Sequence, residues 1–331
     1  MSLLPSTRCF YVRPQLSGEV IAIAVAGHMV EGDFALRGAP PVFAFATGTG
    51  RCGSSLVQEL LSRHPDIGFI SNVDDRFPVL RGGRHNGEIY RHVPESLTRK
   101  GRLRYAPSEG YRVLAREVSP LVVAPGRSLW EPDASPWLRD RCRTHFEDRA
   151  ARQGKPVFLH KFTGWPRAGF IAAAFPEARF INIVRDGRAV ANSLVQMSWW
   201  QDHRDAAALR SLTAMDLEAW EGSGNSFAVL AGLFWKAVVE EHERARQVIA
   251  PGQWIDVRYE DILARPGPEL GRLLGFVGLR PNRAFKQGVA RHHLRAGRGD
   301  AFRRELDPSD VACLDTLLGE TLQRYGYASS C

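Results

Sequence analysis

Short apolar runs recur along the chain at Val42–Ala46, Val157–Leu159, Phe180–Val184 and Trp254–Val257, with Ile67–Ile70 a further candidate. They are continuous rather than alternating, as expected of strands buried on both faces of a parallel sheet. Helical patterns separate them, which predicts βαβ units. Phe227, Leu230, Ala231, Phe234, Val238, Ala245, Val248 and Ile249 recur at helical spacing across Ser226–Ala250. A last helix is expected to begin at Asp307-Pro308, with Asp as N-cap and Pro at the first helical position, burying Val311, Leu314, Leu318 and Leu322. The stretch between Arg81 and Ala151 is Arg-rich, with several Pro and Gly, and reads as an irregular or helical insertion rather than sheet. The expected fold class is α/β: a P-loop-like three-layer sandwich around a mostly parallel sheet of about five strands. Residues 1–40 precede it as an extension.

At 331 residues and 44% hydrophobic, the chain can bury a full core. Its formal charge is +8, and only five of the 44 basic residues are Lys. The positive charge is therefore mostly guanidinium, the group suited to bidentate grip on phosphate or sulfate. An anionic partner is the first expectation. Cys9, Cys52, Cys142, Cys313 and Cys331 are scattered, with no CxxC pair, which argues against a disulfide framework or zinc module and for a reducing compartment. Val20–Ala26 is too short to span a bilayer and lacks the order of a signal peptide, so a cytoplasmic protein without stable membrane insertion is expected.

The sharpest feature follows the first strand: Gly48-Thr49-Gly50-Arg51-Cys52-Gly53-Ser54-Ser55, a Gly-rich turn entering a helix. Such a turn bares backbone N–H groups at a helix N-terminus, which favours a phosphate. Gly48 and Gly53 have the spacing of a Walker A loop, yet the Lys position holds Ser54. Arg51 places a basic group inside the loop instead. That suits a 5′-phosphate bearing one further anionic group better than a triphosphate with magnesium, and no metal is expected. Cys52 lacks the Arg at 58 that a phosphatase-type loop needs, the residue being Gln58, and reads as a packing residue. A second strand–turn–helix runs from Arg179 through Arg185-Asp186-Gly187 to Ser193. Arg185 falls at the carboxyl end of its strand, where open α/β sheets bind ligands, and Ser193 follows about two helical turns later.

This pair of motifs resembles the sulfotransferases that use 3′-phosphoadenosine 5′-phosphosulfate (PAPS). Gly50-Arg51-Cys52-Gly53-Ser54-Ser55 is similar to the PRSGTT-type 5′-phosphosulfate loop of the bacterial branch. Arg185 and Ser193 keep the spacing of the family's 3′-phosphate site. Lys161 after the strand, the run Val257–Leu263, and Arg295-Ala296-Gly297-Arg298-Gly299-Asp300 are further matches. The last departs from RKGxxGDW in its Lys, its Gly spacing and its Trp. The resemblance implies a single sulfotransferase domain over 41–331, with PAPS as cosubstrate and PAP as product. It implies a 5′-phosphate on the N–H groups of Gly50–Ser55, and a 3′-phosphate on Arg185, Ser193 and one of Arg295 or Arg298. Arg51 and Lys161 are then expected to flank the transferring sulfuryl group.

The family's general base has no direct match. Thr163 stands where cytosolic members carry His, and Ser71-Asn72 follow His64-Pro65-Asp66-Ile67 where bacterial members carry Glu. Asp74 and Asp75 are the leading candidates, with His160 the alternative, although strand alternation turns it away from Lys161. Competing readings are a P-loop kinase for a small molecule, disfavoured by Ser54, and a non-enzymatic binder of polyanions. No zinc pattern or RNP-type motif supports nucleic acid as partner. The acceptor is left open among small molecules, glycans, lipids and peptides, with the 81–151 insertion and Trp199–Asn225 as its expected walls. Trp199, Trp200 and Trp220 are candidate stacking residues, and a homo-oligomer is compatible with the sequence.

Overall fold

The computed structural model describes residues 40–77, 83–93, 105–198, 200, 209–292, 294 and 299–327. Five strands form one sheet: β1 (Val42–Gly48), β2 (Ile67–Gly68), β3 (Val157–Lys161), β4 (Arg179–Val184) and β5 (Trp254–Arg258). Their order is β2-β3-β1-β4-β5, and every neighbouring pair is parallel. All five expected strands are present. β1 and β3 extend two residues further than their apolar runs, to Gly48 and Lys161, because backbone pairing continues into the site.

Alternation along each strand sorts side chains to two cores. Phe45, Phe158, Phe180 and Trp254 point to one face, with Phe146 and Phe170 from the helices covering it. Ala44, Leu159, Ile181 and Val257 point to the other, under Val57, Leu60 and Leu61. A third cluster joins Val190, Leu230, Trp235, Leu314, Leu318 and Leu322. Both faces of the sheet are thus closed by helices, which is what a parallel sheet requires.

Six helices matter for the site or the scaffold: α1 (Ser54–Leu61), α2 (Tyr111–Glu117), α3 (Pro136–Gln153), α4 (Gly187–Val195), α5 (Phe227–Gln247) and α6 (Pro308–Arg324). α5 and α6 lie where the periodicity predicts, but their ends differ from it. Phe227 and Val248 are exposed, and Asp307 precedes α6 without a side-chain capping bond. Ser226 instead caps α5, its hydroxyl accepting from the amides of Ala228 and Val229. Among the described residues no helix is long and apolar enough to cross a membrane. Cys9, Val20–Ala26, Trp199, Arg295, Arg298 and Cys331 lie outside the described residues.

Candidate active site

Sheet order and register place the site. β1 is central, with β3 on one side and β4 on the other, so the chain departs in opposite directions from its carboxyl end. Ligands of open α/β sheets settle in that crevice. Ala46 is level with Lys161, and Gly48 with Ile183. The turn after Gly48 therefore opens between the ends that carry Lys161 and Arg185.

Two positions in this turn demand glycine. Gly48 has φ 147°, and a Cβ there would lie 2.4 Å from the Ile183 carbonyl oxygen. Gly53 has φ 94°, and its Cβ would meet the Tyr259 ring at 2.2 Å. Arg51 between them holds φ 66°, a left-handed conformation costly to a side-chain-bearing residue and common at functional turns. α1 begins at Ser54 with no side-chain cap and no acidic residue in its first turn. Its leading amides, and the dipole behind them, remain available to an anion.

Two polar clusters flank the turn. In the first, Arg51 Nε donates to Ser193 Oγ at 3.0 Å, and Arg185 Nη1 donates to the Arg51 carbonyl at 3.1 Å. The Arg185 guanidinium lies 5.2 Å from the Tyr259 ring centroid. Asp186 turns away to Arg188, at 2.7 Å, and Arg188 reaches Asp315 at 2.5 Å. Among the described residues Arg51 and Arg185 thus have no carboxylate partner. The buried Arg185 Nε and Thr49 Oγ1 also have no hydrogen-bond partner there. Cationic groups with spare donors around open helix amides fit a ligand with two separated anionic groups.

In the second cluster Lys161 Nζ donates to Ser55 Oγ at 2.6 Å and pairs with Glu109 Oε1, also at 2.6 Å. Thr163 Oγ1 donates to the same carboxylate oxygen at 2.7 Å, and lies 3.4 Å from Ser54 Oγ. Burial alone pushes the Glu109 carboxyl up. Its ion pair with Lys161, with hydrogen bonds from Lys161, Tyr111 and Thr163, outweighs burial and holds it below the ordinary glutamate value. A single cavity of about 860 Å³ joins the loop, Arg185, Glu109 and Thr163.

Gly50, Arg51, Gly53, Ser54, Ser55 and Arg185 line this cavity, and Ser193 joins them through Arg51. Arg51 and Lys161, paired in expectation at one sulfuryl group, are held in different clusters. The three base candidates are not brought to it. Asp74 closes a capping box with Ser71 and accepts from Asn86 Nδ2 at 2.6 Å. It lines a separate cavity of about 750 Å³ with Arg141, His145 and Arg149. Asp75 accepts from the amides of Arg112 and Val113, at 2.9 and 3.0 Å, and so caps α2. His160 is fully buried on the opposite face among Phe146 and Phe162, and burial holds its pKa well below the usual histidine value. Cys52 is likewise fully buried, and desolvation raises its thiol pKa, as suits a packing residue. Glu109 escaped the sequence reading. It belongs to no motif, and its one local signal is the Gly110 turn (φ 62°) that starts α2.

A family profile described as "Sulfotransferase family" matches residues 41–282. The chain belongs to that sulfotransferase family. Two relatives are the omega-hydroxy-beta-dihydromenaquinone-9 sulfotransferases Stf3 of Mycobacterium bovis and Mycobacterium tuberculosis, each 25% identical over 177 residues. That match takes in 53% of this chain and 42% of each relative, so less than half of their length is represented. Sulfotransferase STF9 from Mycobacterium avium shares the fold, with TM-score 0.52 and 17% identity over 87% of this chain and 77% of that one. The segment matched by the family carries every strand and both polar clusters.

Proposed function

We propose that this chain transfers a sulfuryl group from PAPS to an acceptor hydroxyl in the cytoplasm, giving PAP and a sulfate ester. PAPS supplies a sulfuryl group already activated by its anhydride to the 5′-phosphate. The amides of Gly50–Ser55 hold the 5′-phosphate at the start of α1. Arg185 and Ser193 hold the 3′-phosphate, with Arg51 beside them, since its guanidinium is bonded to Ser193. Lys161 stabilises charge at the transferring group, and Ser55 keeps its ammonium in place.

Glu109 is the general base in this reading and takes the proton of the acceptor hydroxyl. Its position against both Lys161 and Thr163 carries the assignment. An anion that draws Lys161 away removes the main stabiliser of ionised Glu109 and so makes it a stronger base.

The observation that carries the whole reading is the pair of unneutralised guanidiniums beside open helix amides. A thermal-shift titration tests it, comparing 3′,5′-ADP with 5′-ADP. At 100 times its dissociation constant, 3′,5′-ADP stabilises by about 2.7 kcal/mol. Equal responses to the two nucleotides, or none, overturn the donor assignment.

A further inference from the structure

The lining of the same cavity also includes Val122–Gly126, Trp165, Trp200 and Phe234. These rings pack on one another, Trp165 edge-on to Phe234 at 6.1 Å and Trp200 tilted against it at 5.7 Å. Apart from the loop, Glu59 and Arg185, the lining's charged and hydroxyl side chains are Glu109, Tyr111, Thr163 and Arg167, the last bonded to the Val122 and Ala124 carbonyls. The first three are bonded together where a reacting hydroxyl is needed.

Away from Arg51 and Arg185 at the loop, Arg167 is the cation of the described lining, and four of its five N–H groups are committed. Nε donates to the Val122 carbonyl at 2.9 Å, Nη1 to those of Arg127 and Trp165 at 2.8 Å each, and Nη2 to Ala124 at 2.6 Å. It fixes the Val122–Gly126 wall instead of reading a ligand. A sugar ring would find aromatic surface but few donors or acceptors for its other hydroxyls, each of which costs free energy when buried unpaired. Away from Arg51 and Arg185 at the loop, a carboxylate on the acceptor would find only Arg167 among the described lining residues, most of whose donors are already bonded.

We infer that the acceptor is a neutral alcohol with a long apolar body, its hydroxyl at Glu109 and its body along the Val122–Gly126 wall. This rests on the sulfotransferase reading for the direction of the hydroxyl, while the apolar arm stands on its own lining. Primary alcohols from butanol to decanol, offered with PAPS, should rise in kcat/KM by about fourfold per methylene until the arm is full. Dodecanol should exceed 12-hydroxydodecanoate by at least about tenfold. A flat series, or preference for glucose or the hydroxy acid, overturns the inference.

Equilibrium dialysis of radiolabelled decanol without nucleotide separates the two readings. Saturable binding that is lost in Val123→Asp but kept in Val123→Ile, with no response to 3′,5′-ADP, upholds the apolar arm and removes the donor assignment. Stabilisation by 3′,5′-ADP with no decanol binding overturns the arm and leaves the donor site standing.

Discussion

The Gly-rich loop and the Glu109 side of the cleft differ in how their parts are spread along the chain. The loop is continuous from Gly48 to Ser55, and its partners Arg185 and Ser193 sit on one strand–helix turn. The Glu109 side collects Glu109, the Val122–Gly126 wall, Thr163, Trp200 and Phe234 from separate elements. Continuous parts leave a spacing that can be read as a motif. Scattered parts leave none, because only packing brings them together. The two sides also differ in electrostatics: among the described residues Arg51 and Arg185 by the loop have no carboxylate partner, whereas Lys161 at the junction has Glu109.

Several substitutions break this contrast at different strengths. Glu109→Gln should have the largest effect, lowering kcat on the order of 100- to 10,000-fold with the 3′,5′-ADP thermal shift preserved. Retention of kcat would remove Glu109 as base. Lys161→Ala should lower kcat about 100- to 1000-fold, measured at saturating PAPS. Arg185→Ala should weaken 3′,5′-ADP by roughly 10- to 100-fold and leave 5′-ADP nearly unchanged, the loss expected for a charge-assisted hydrogen bond. Calorimetric titration with both nucleotides checks that asymmetry. Ser193→Ala should be mildest, about fivefold on 3′,5′-ADP.

The pH profile sharpens the same comparison. Glu109 is depressed below the ordinary glutamate value of 4.5, so its ionised form persists as pH falls and is lost only below that value. The acid limb of kcat/KM for the free enzyme should therefore lie below pH 4.5 and vanish in Glu109→Gln. Any stability contributed by the Glu109–Lys161 pair follows the same sign. It is present above the unfolded carboxyl's pKa and is lost as pH falls through the folded one.

Strands were legible because each is an apolar run bounded by turn residues, and burial on both faces forces that composition. Gly48 and Gly53 were legible because a close approach and a positive φ admit nothing larger. Asp74 and Asp75 misled for a physical reason. Acidic residues at the start of a helix favour capping, and that is where both carboxylates are committed. Asp186, although next to Arg185 in sequence, is the N-cap of α4 and bonds Arg188 instead. Glu109 could not be read because nothing near it in sequence records the distance to Lys161.

The central place of β1 has a consequence for how the chain folds. Its first residue, Val42, pairs with Val157, more than 100 positions later, and its other edge waits for Arg179–Ile183. Such long loops are slow to close. During synthesis the Gly-rich turn therefore leaves the ribosome well before the strands that shape it. Until β3 and α4 arrive, Ser55 has no Lys161 and Arg51 no Ser193. Nucleotide affinity should thus emerge late, as a property of the nearly finished sheet, and nascent chains ending before β4 should bear an unpaired apolar strand that invites aggregation.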